Sequence, residues 1–114
     1  MNESESKVWL RKKVKVLIDR ALGTVHPKYE DMIYPVNYGF VPNTISEIDH
    51  EEIDAYVLGP TEPLAEFEGE VIAVIEREGD EIKLLVSDGR DFSDDEIRRL
   101  TDFQEKFFKS VIIR

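Results

Sequence analysis

The sequence predicts a mainly β fold with α structure, a small barrel capped by one helix, and three observations predict it. Lys12 to Asp19 alternates apolar and polar residues, with Val14, Val16 and Ile18 on one face. Glu70 to Glu78 and Ile82 to Val86 are two further β-rich runs, separated by Gly79-Asp80, the turn chemistry of a hairpin. The one well-formed helix signal comes only afterwards, at Ser93.

Taken in order, Met1 to Lys7 is polar and expected to be flexible, and the first strand follows. Leu22-Gly23-Thr24 turns the chain. Prolines at 27, 35 and 42 forbid a long helix between His26 and Pro42 and favour short extended pieces, one of them around Tyr34. Asp54 to Leu58 reads as a strand stopped by Gly59-Pro60. Glu70 to Glu78 is a long strand candidate expected to bury Val71, Ala73 and Ile75, and with the hairpin partner and the segment around Tyr34 five strands result. Ser93-Asp94-Asp95-Glu96 has capping-box spacing, and Ile97, Leu100, Phe103 and Phe107 recur at helical intervals. Four pairs of opposite charge at i, i+4 support this helix: Asp94 with Arg98, Asp95 with Arg99, Asp102 with Lys106 and Glu105 with Lys109. Val111-Ile112-Ile113 closes the chain as a short strand. No repeat or linker interrupts it, so residues 1–114 are expected to form a single domain.

Composition narrows the function classes. The net charge is −10, but residues 1–30 hold seven Lys or Arg against four acids, whereas residues 31–114 hold eight against twenty-one. Nucleic acid needs a continuous basic surface, which an acidic chain does not readily provide. No apolar run is long enough to span a membrane, and the acidic amino terminus does not resemble a secretory leader, so a cytoplasmic location is expected. There is no cysteine, which excludes disulfides, thiolate nucleophiles and Cys-based metal sites.

The densest chemistry lies between Glu47 and Asp54, where five carboxylates occupy eight residues. Like charges held this close repel, and a divalent cation would relieve them. Asp49, Glu51 and Asp54 are spaced so that a turn and the first strand residue can aim oxygens at one hard cation; a solvated acidic loop is the alternative. Glu78, Asp80 and Glu81 are either further metal ligands or a wet hairpin tip. Lys83 is a phosphate ligand or an edge lysine paired with Glu81. Lys28 lies among aromatic and acidic residues in His26-Pro27-Lys28-Tyr29-Glu30. Tyr34, Tyr38 and Phe40 read as core or wall aromatics, and the phenol of Tyr38 can also donate to an anion. His26 and His50 are too far apart in sequence to suggest a zinc site.

In order along the chain, Ile18-Asp19, His26 to Glu30, Tyr34-Pro35-Val36-Asn37-Tyr38-Gly39-Phe40, Asp49 to Asp54 and Glu81-Ile82-Lys83-Leu84 together resemble the soluble family I inorganic pyrophosphatases. The resemblance runs from about Val14 to Lys109 and implies a five-stranded, OB-like closed barrel with a C-terminal helix packed outside. It implies hydrolysis of inorganic pyrophosphate with Mg²⁺, or Mn²⁺, in a cytoplasmic homo-oligomer. By the same resemblance Asp49, Glu51, Asp54, Glu78 and Glu81 take metal-ligand positions, and Glu51 also accepts a proton from the attacking water. Asp19 takes an acidic catalytic position, and Lys28, Tyr38, Lys83 and Lys109 contact phosphate. The chain departs from the family at several points. Glu51 and Glu81 stand where the family has the shorter Asp, Phe108 replaces a tyrosine, and between Glu30 and Met32 the hairpin with a phosphate-binding arginine is lacking. Reduced activity is expected from these changes. The other reading is a non-catalytic relative that binds a divalent metal with phosphate or a nucleotide diphosphate.

Overall fold

A computed structural model describes residues 3–44, 51–78 and 81–114. The chain forms α1 (Glu3–Trp9), β1 (Lys13–Arg20), β2 (Asn37–Val41), β3 (Ile53–Leu58), β4 (Glu66–Arg77), β5 (Ile82–Ser87), α2 (Asp94–Glu105) and β6 (Ser110–Ile113). The strands are ordered β1-β2-β3-β5-β4, and β4 pairs back onto β1 to close a five-stranded barrel. The expected OB-like closed barrel with a carboxy-terminal helix is therefore present. β6 adds to β4 beyond the stretch that meets β1. All pairings are antiparallel except β3 with β5, which run parallel. Among the described residues no helix is long and apolar enough to cross a membrane.

Two of the expected boundaries move for physical reasons. β4 begins at Glu66, because Glu66, Glu68 and Glu70 lie opposite Leu17, Lys15 and Lys13 of β1. Lys15 meets Glu66 at 3.1 Å and Arg11 meets Glu70 at 3.2 Å. An acidic alternation of this kind lacks an apolar signature, and cross-strand charge pairing supplies the reason for its register. The extended piece expected around Tyr34 is instead an isolated bridge from Val25 to Ile33, and the strand follows at Asn37–Val41. The segment of the expected Gly79-Asp80 turn lies outside the described residues. Glu3–Trp9 is helical, so most of the stretch expected to be flexible, Met1 to Lys7, lies in a helix that runs two residues past it.

The core has two layers. Val16, Val41, Ile53, Ala55, Val57, Val71, Val74, Ile82, Leu84 and Val86 fill the barrel. Tyr34, Tyr38, Tyr56, Leu58, Ala73, Ile75, Leu85 and Ile97 lie between the outer barrel wall and α2. β3 and β5 are covered on both faces, so they read as nearly continuous apolar runs. Val71, Ala73 and Ile75 are all buried, but they do not share a face. A bulge between Val71 and Ala73 shifts the period, leaving Val71 inside the barrel and Ala73 and Ile75 outside it. Gly39 is required where β1 crosses β2: a Cβ there would lie 1.9 Å from the carbonyl oxygen of Leu17. Buried Asn37 ties two loops together, accepting from the N–H groups of Leu22 and Leu64, both at 3.0 Å, and donating to the carbonyl of Glu62 at 2.9 Å.

α2 starts as its sequence requires. The Ser93 hydroxyl accepts from the Glu96 N–H at 3.2 Å, and the Glu96 carboxylate accepts from the Ser93 N–H at 2.9 Å. The helix ends at Glu105, so Phe107 is not its last apolar rung and is exposed. Its charges also serve tertiary contacts: Asp94 meets Arg114, Arg98 bonds Ser110, and Glu105 turns inward to Arg77. Arg77 donates to Glu105 through Nε at 3.0 Å and Nη2 at 2.7 Å, and the Tyr56 hydroxyl donates to the same carboxylate at 2.6 Å. Burial opposes the Arg77 charge, but the bonds from Glu105 outweigh it and hold the guanidinium's pKa above its ordinary value. Burial and the adjacent Glu105 charge likewise push the Tyr56 phenol upward, so it remains a donor.

Removing one member of this buried pair leaves the other charge uncompensated. Glu105→Ala is expected to cost about 3 kcal/mol or more in urea unfolding. The double change Arg77→Met with Glu105→Leu should recover most of that loss. A single variant as stable as wild type would show that α2 is held by apolar packing alone.

Candidate functional site

The site is assembled by strand register. Asp54 of β3 lies opposite Lys83 of the parallel strand β5, and Tyr38 of β2 lies opposite Tyr56. Because alternate residues share a face, Asp54, Tyr56 and Leu58 point out of the barrel, as do Lys83 and Leu85. Glu81, two residues before Lys83, has the same phase. The Lys83 ammonium donates to Asp54 at 2.6 Å, to Glu81 at 2.9 Å and to the Tyr38 hydroxyl at 3.0 Å, and Tyr38 donates to Asp54 at 2.9 Å. Lys83 is 2% exposed, a degree of burial that an ammonium tolerates only when paired. The pairing with Glu81 is thus present, but Lys83 sits on a central strand and not at an edge.

Asp19 reaches this cluster through an irregularity. The β1–β2 register shifts between Ile18 and Arg20, so Asp19 occupies a bulge, a device that re-aims a side chain. Its carboxyl titrates above the usual aspartate range. Partial burial is the main cause, opposed by Arg20 and reinforced by the negative charge of Asp54. Burial, followed by the charge of Asp54, also raises the Tyr38 phenol well above its ordinary value, which fixes it as a donor toward Asp54.

Beside the cluster is a cavity of about 310 Å³, lined by Lys83, Tyr38, Arg77, Gln104 and a wall of His26, Tyr29, Met32, Phe107 and Phe108. Arg77 stacks on Phe108, with its guanidinium carbon 3.8 Å from the ring centroid. The structure therefore brings together Tyr38, Asp54, Glu81 and Lys83, with Asp19 near enough to feel the charges of Asp54 and Lys83. Lys28 is exposed between two residues of the cavity wall, its N–H donating to His26 Nδ1 at 3.0 Å. Glu78 and Lys109 are joined through the backbone, the Glu78 N–H donating to the Lys109 carbonyl at 2.7 Å, and both side chains are exposed. Glu51 is exposed ahead of β3, and Asp49, with His50, lies outside the described residues.

Sequence reasoning misses Arg77 and Glu105. Arg77 has the phase of Ala73 and Ile75 and continues the face that packs under α2, a signal visible only once the bulge is known. Glu105 satisfies the helical spacing rule with Lys109, and that pattern alone places it in a surface pair.

The donors around Lys83 are all oxygen, which suits a hard divalent cation, and Asp54 and Glu81 already converge on one positive charge. Among the described residues no three acidic or histidine side chains gather closely enough to hold a metal ion. The chemistry of the donor set fits such a cation, and these residues supply part of it.

The family model described as inorganic pyrophosphatase matches residues 3–112. An inorganic pyrophosphatase from Aeropyrum pernix is 34% identical over 83 residues, which cover 71% of this chain and 43% of that relative. The matched segment thus spans less than half the length of that relative. Among solved structures, the inorganic pyrophosphatase of Ehrlichia chaffeensis has a TM-score of 0.68 at 18% identity, covering 89% of this chain and 84% of that one. That of Coxiella burnetii has a TM-score of 0.64 at 19% identity, covering 90% and 84%. These likenesses show the shared fold, and the family model and the Aeropyrum relative carry the conclusion to which the register-built cluster points: the chain belongs to the inorganic pyrophosphatase family.

Proposed function

We propose that the protein is a divalent-metal-dependent inorganic diphosphatase, cleaving pyrophosphate to two phosphates. The observation that carries this reading is the Lys83 ammonium held between Asp54 and Glu81 beneath the Tyr38 hydroxyl, in a chain of this family. Asp54, Glu81, Asp49, Glu51 and Glu78 would hold the metal, Mg²⁺ or Mn²⁺. When bound, such a cation lowers the pKa of a coordinated water and neutralises phosphate charge.

The chain's own groups divide the remaining work. Lys83, Lys28 and Lys109 offset the charge of the substrate, and Tyr38 offers a hydroxyl to a phosphate oxygen. A water oxygen bonds to one phosphorus while the bridging P–O bond breaks, its electron pair leaving with the second phosphate. One water proton passes to Glu51, and Asp19, whose carboxyl titrates high, supplies a second acid–base group near the same charge. Membership in the family also supports a cytoplasmic homo-oligomer.

The neutralisation of Asp54 and Glu81 by Lys83 favours a second reading, a barrel that binds metal and phosphate without turnover. Phosphate release separates the two. With Mg²⁺ or Mn²⁺ the protein should hydrolyse pyrophosphate, and Asp54→Asn or Lys83→Met should lower kcat about 100-fold, whereas Asp102→Asn, on the exposed side of α2, should change it less than twofold. Release no faster than the protein-free rate with every divalent metal would leave the binding reading.

A metal that binds only the folded state at 100 times its Kd adds about 2.7 kcal/mol of stability. Mg²⁺ should therefore raise the Tm of wild type beyond NaCl at equal ionic strength, and Asp54→Asn should remove most of that difference. Equal shifts in both salts for wild type would reduce the acids to a screened surface.

A further inference from the structure

The cavity beside Lys83 has a wall that an inorganic diphosphate does not use. Pyrophosphate is small and charged over its whole surface, and an apolar wall solvates such an anion poorly. Yet Tyr29 is 52% exposed and Phe107 61% exposed, both facing this space, with His26 and Phe108 beside them. The Tyr29 and Phe107 rings lie 6.4 Å apart and within 22° of parallel, and His26 is 5.0 Å from Tyr29. These rings come from the loop before β2 and the segment after α2, so tertiary structure alone aligns them. Two cations line the same space: Lys83, and Arg77 with its guanidinium stacked on Phe108. The lining thus combines cationic groups with exposed aromatic faces, in a volume at the small end of those that hold organic ligands.

We propose that this cavity takes a diphosphate bearing an aromatic group, a nucleoside diphosphate in chemical class, with the phosphates toward Lys83 and Arg77 and the base against Tyr29 and Phe107. The inference rests on the diphosphatase reading for the phosphate end, and it assigns a substrate preference to the same site. Stacking on aromatic side chains tolerates any base, so the wall selects for a planar ring and not for one nucleobase. Lys83 and Arg77 are already paired with Asp54, Glu81 and Glu105, so a divalent cation held by the acids would supply the further positive charge that a short diphosphate needs.

Calorimetric titration with two probes whose bridging carbon resists hydrolysis tests this: α,β-methylene ADP, and methylenediphosphonate as the inorganic counterpart, both with Mg²⁺. The nucleotide should bind at least about tenfold more tightly than methylenediphosphonate, the gain that base stacking provides. Tyr29→Ala and Phe107→Ala should each lower nucleotide affinity about tenfold more than they lower that of methylenediphosphonate, while Val8→Ala, in α1, changes neither. Both aromatic side chains are largely exposed, so these variants should keep the wild-type Tm. Equal affinity for the two probes, or equal losses for both in the variants, would overturn the proposal. So would variants that bind nucleotide normally but change the mass seen by analytical ultracentrifugation, which would make the aromatic wall a contact between subunits. Phosphate release from pyrophosphate, measured in parallel, separates the failures: release without nucleotide preference defeats this inference alone, whereas neither release nor binding defeats the diphosphatase reading as well.

Discussion

An ammonium withdrawn from water on the outer wall of a β-barrel must be met by negative charge, and the Lys83 site is arranged around that requirement. Asp54 and Glu81 meet it from β3 and from the residue just ahead of β5, and the Tyr38 phenol completes the set from β2. Parallel pairing of β3 with β5 is what makes this possible, because it sets Asp54 beside Lys83 on one face. An antiparallel neighbour in another register would take Asp54 away and leave the buried lysine with Glu81 as its remaining counter-charge. The β3–β5 register thus sets the chemistry of the outer wall, while the pairing of β4 with β1 closes the barrel.

A second buried charge pair fixes the other side of the same cavity. Glu105, the last residue of α2, accepts from both Arg77 and Tyr56, so the helix is tied to β4 and β3 where the cavity begins. Buried pairs of this type contribute less to net stability than to specificity, since apolar residues of similar size would often do as well. Here the pair also presents a guanidinium to the cavity. Arg77 brings this guanidinium to the cavity from β4. Its planar stacking on Phe108 restrains it, as a lysine at this position would not be restrained.

Family membership and local geometry bear on different parts of the functional reading. Membership supports the proposed use of the cluster of acids, lysine and tyrosine on phosphate. The aromatic wall of Tyr29 and Phe107 lies outside that account, and its exposure beside a buried cation raises the question of what organic group it meets.

The amino-acid sequence alone determined the parts of this protein governed by local chemistry. The alternation in β1, the two-sided apolar strands β3 and β5, and the capping box at Ser93 each arise from neighbours a few residues apart, so they are legible in the order of residues itself. The motif around Tyr38, Asp54, Glu81 and Lys83 is legible as residue types in order. Local pattern could not say who meets whom: Glu105 satisfies a helical pairing rule with Lys109, yet it lies against Arg77, 28 residues away in sequence. It could not find the two bulges either, one re-aiming Asp19 and the other moving Ala73, Ile75 and Arg77 to the outer wall, because a single inserted residue reverses a period of two without changing composition. Tertiary structure decided the partners of every buried charge, since burial makes a charge depend on whichever opposite group the fold brings within about 3 Å, and no local rule specifies that group.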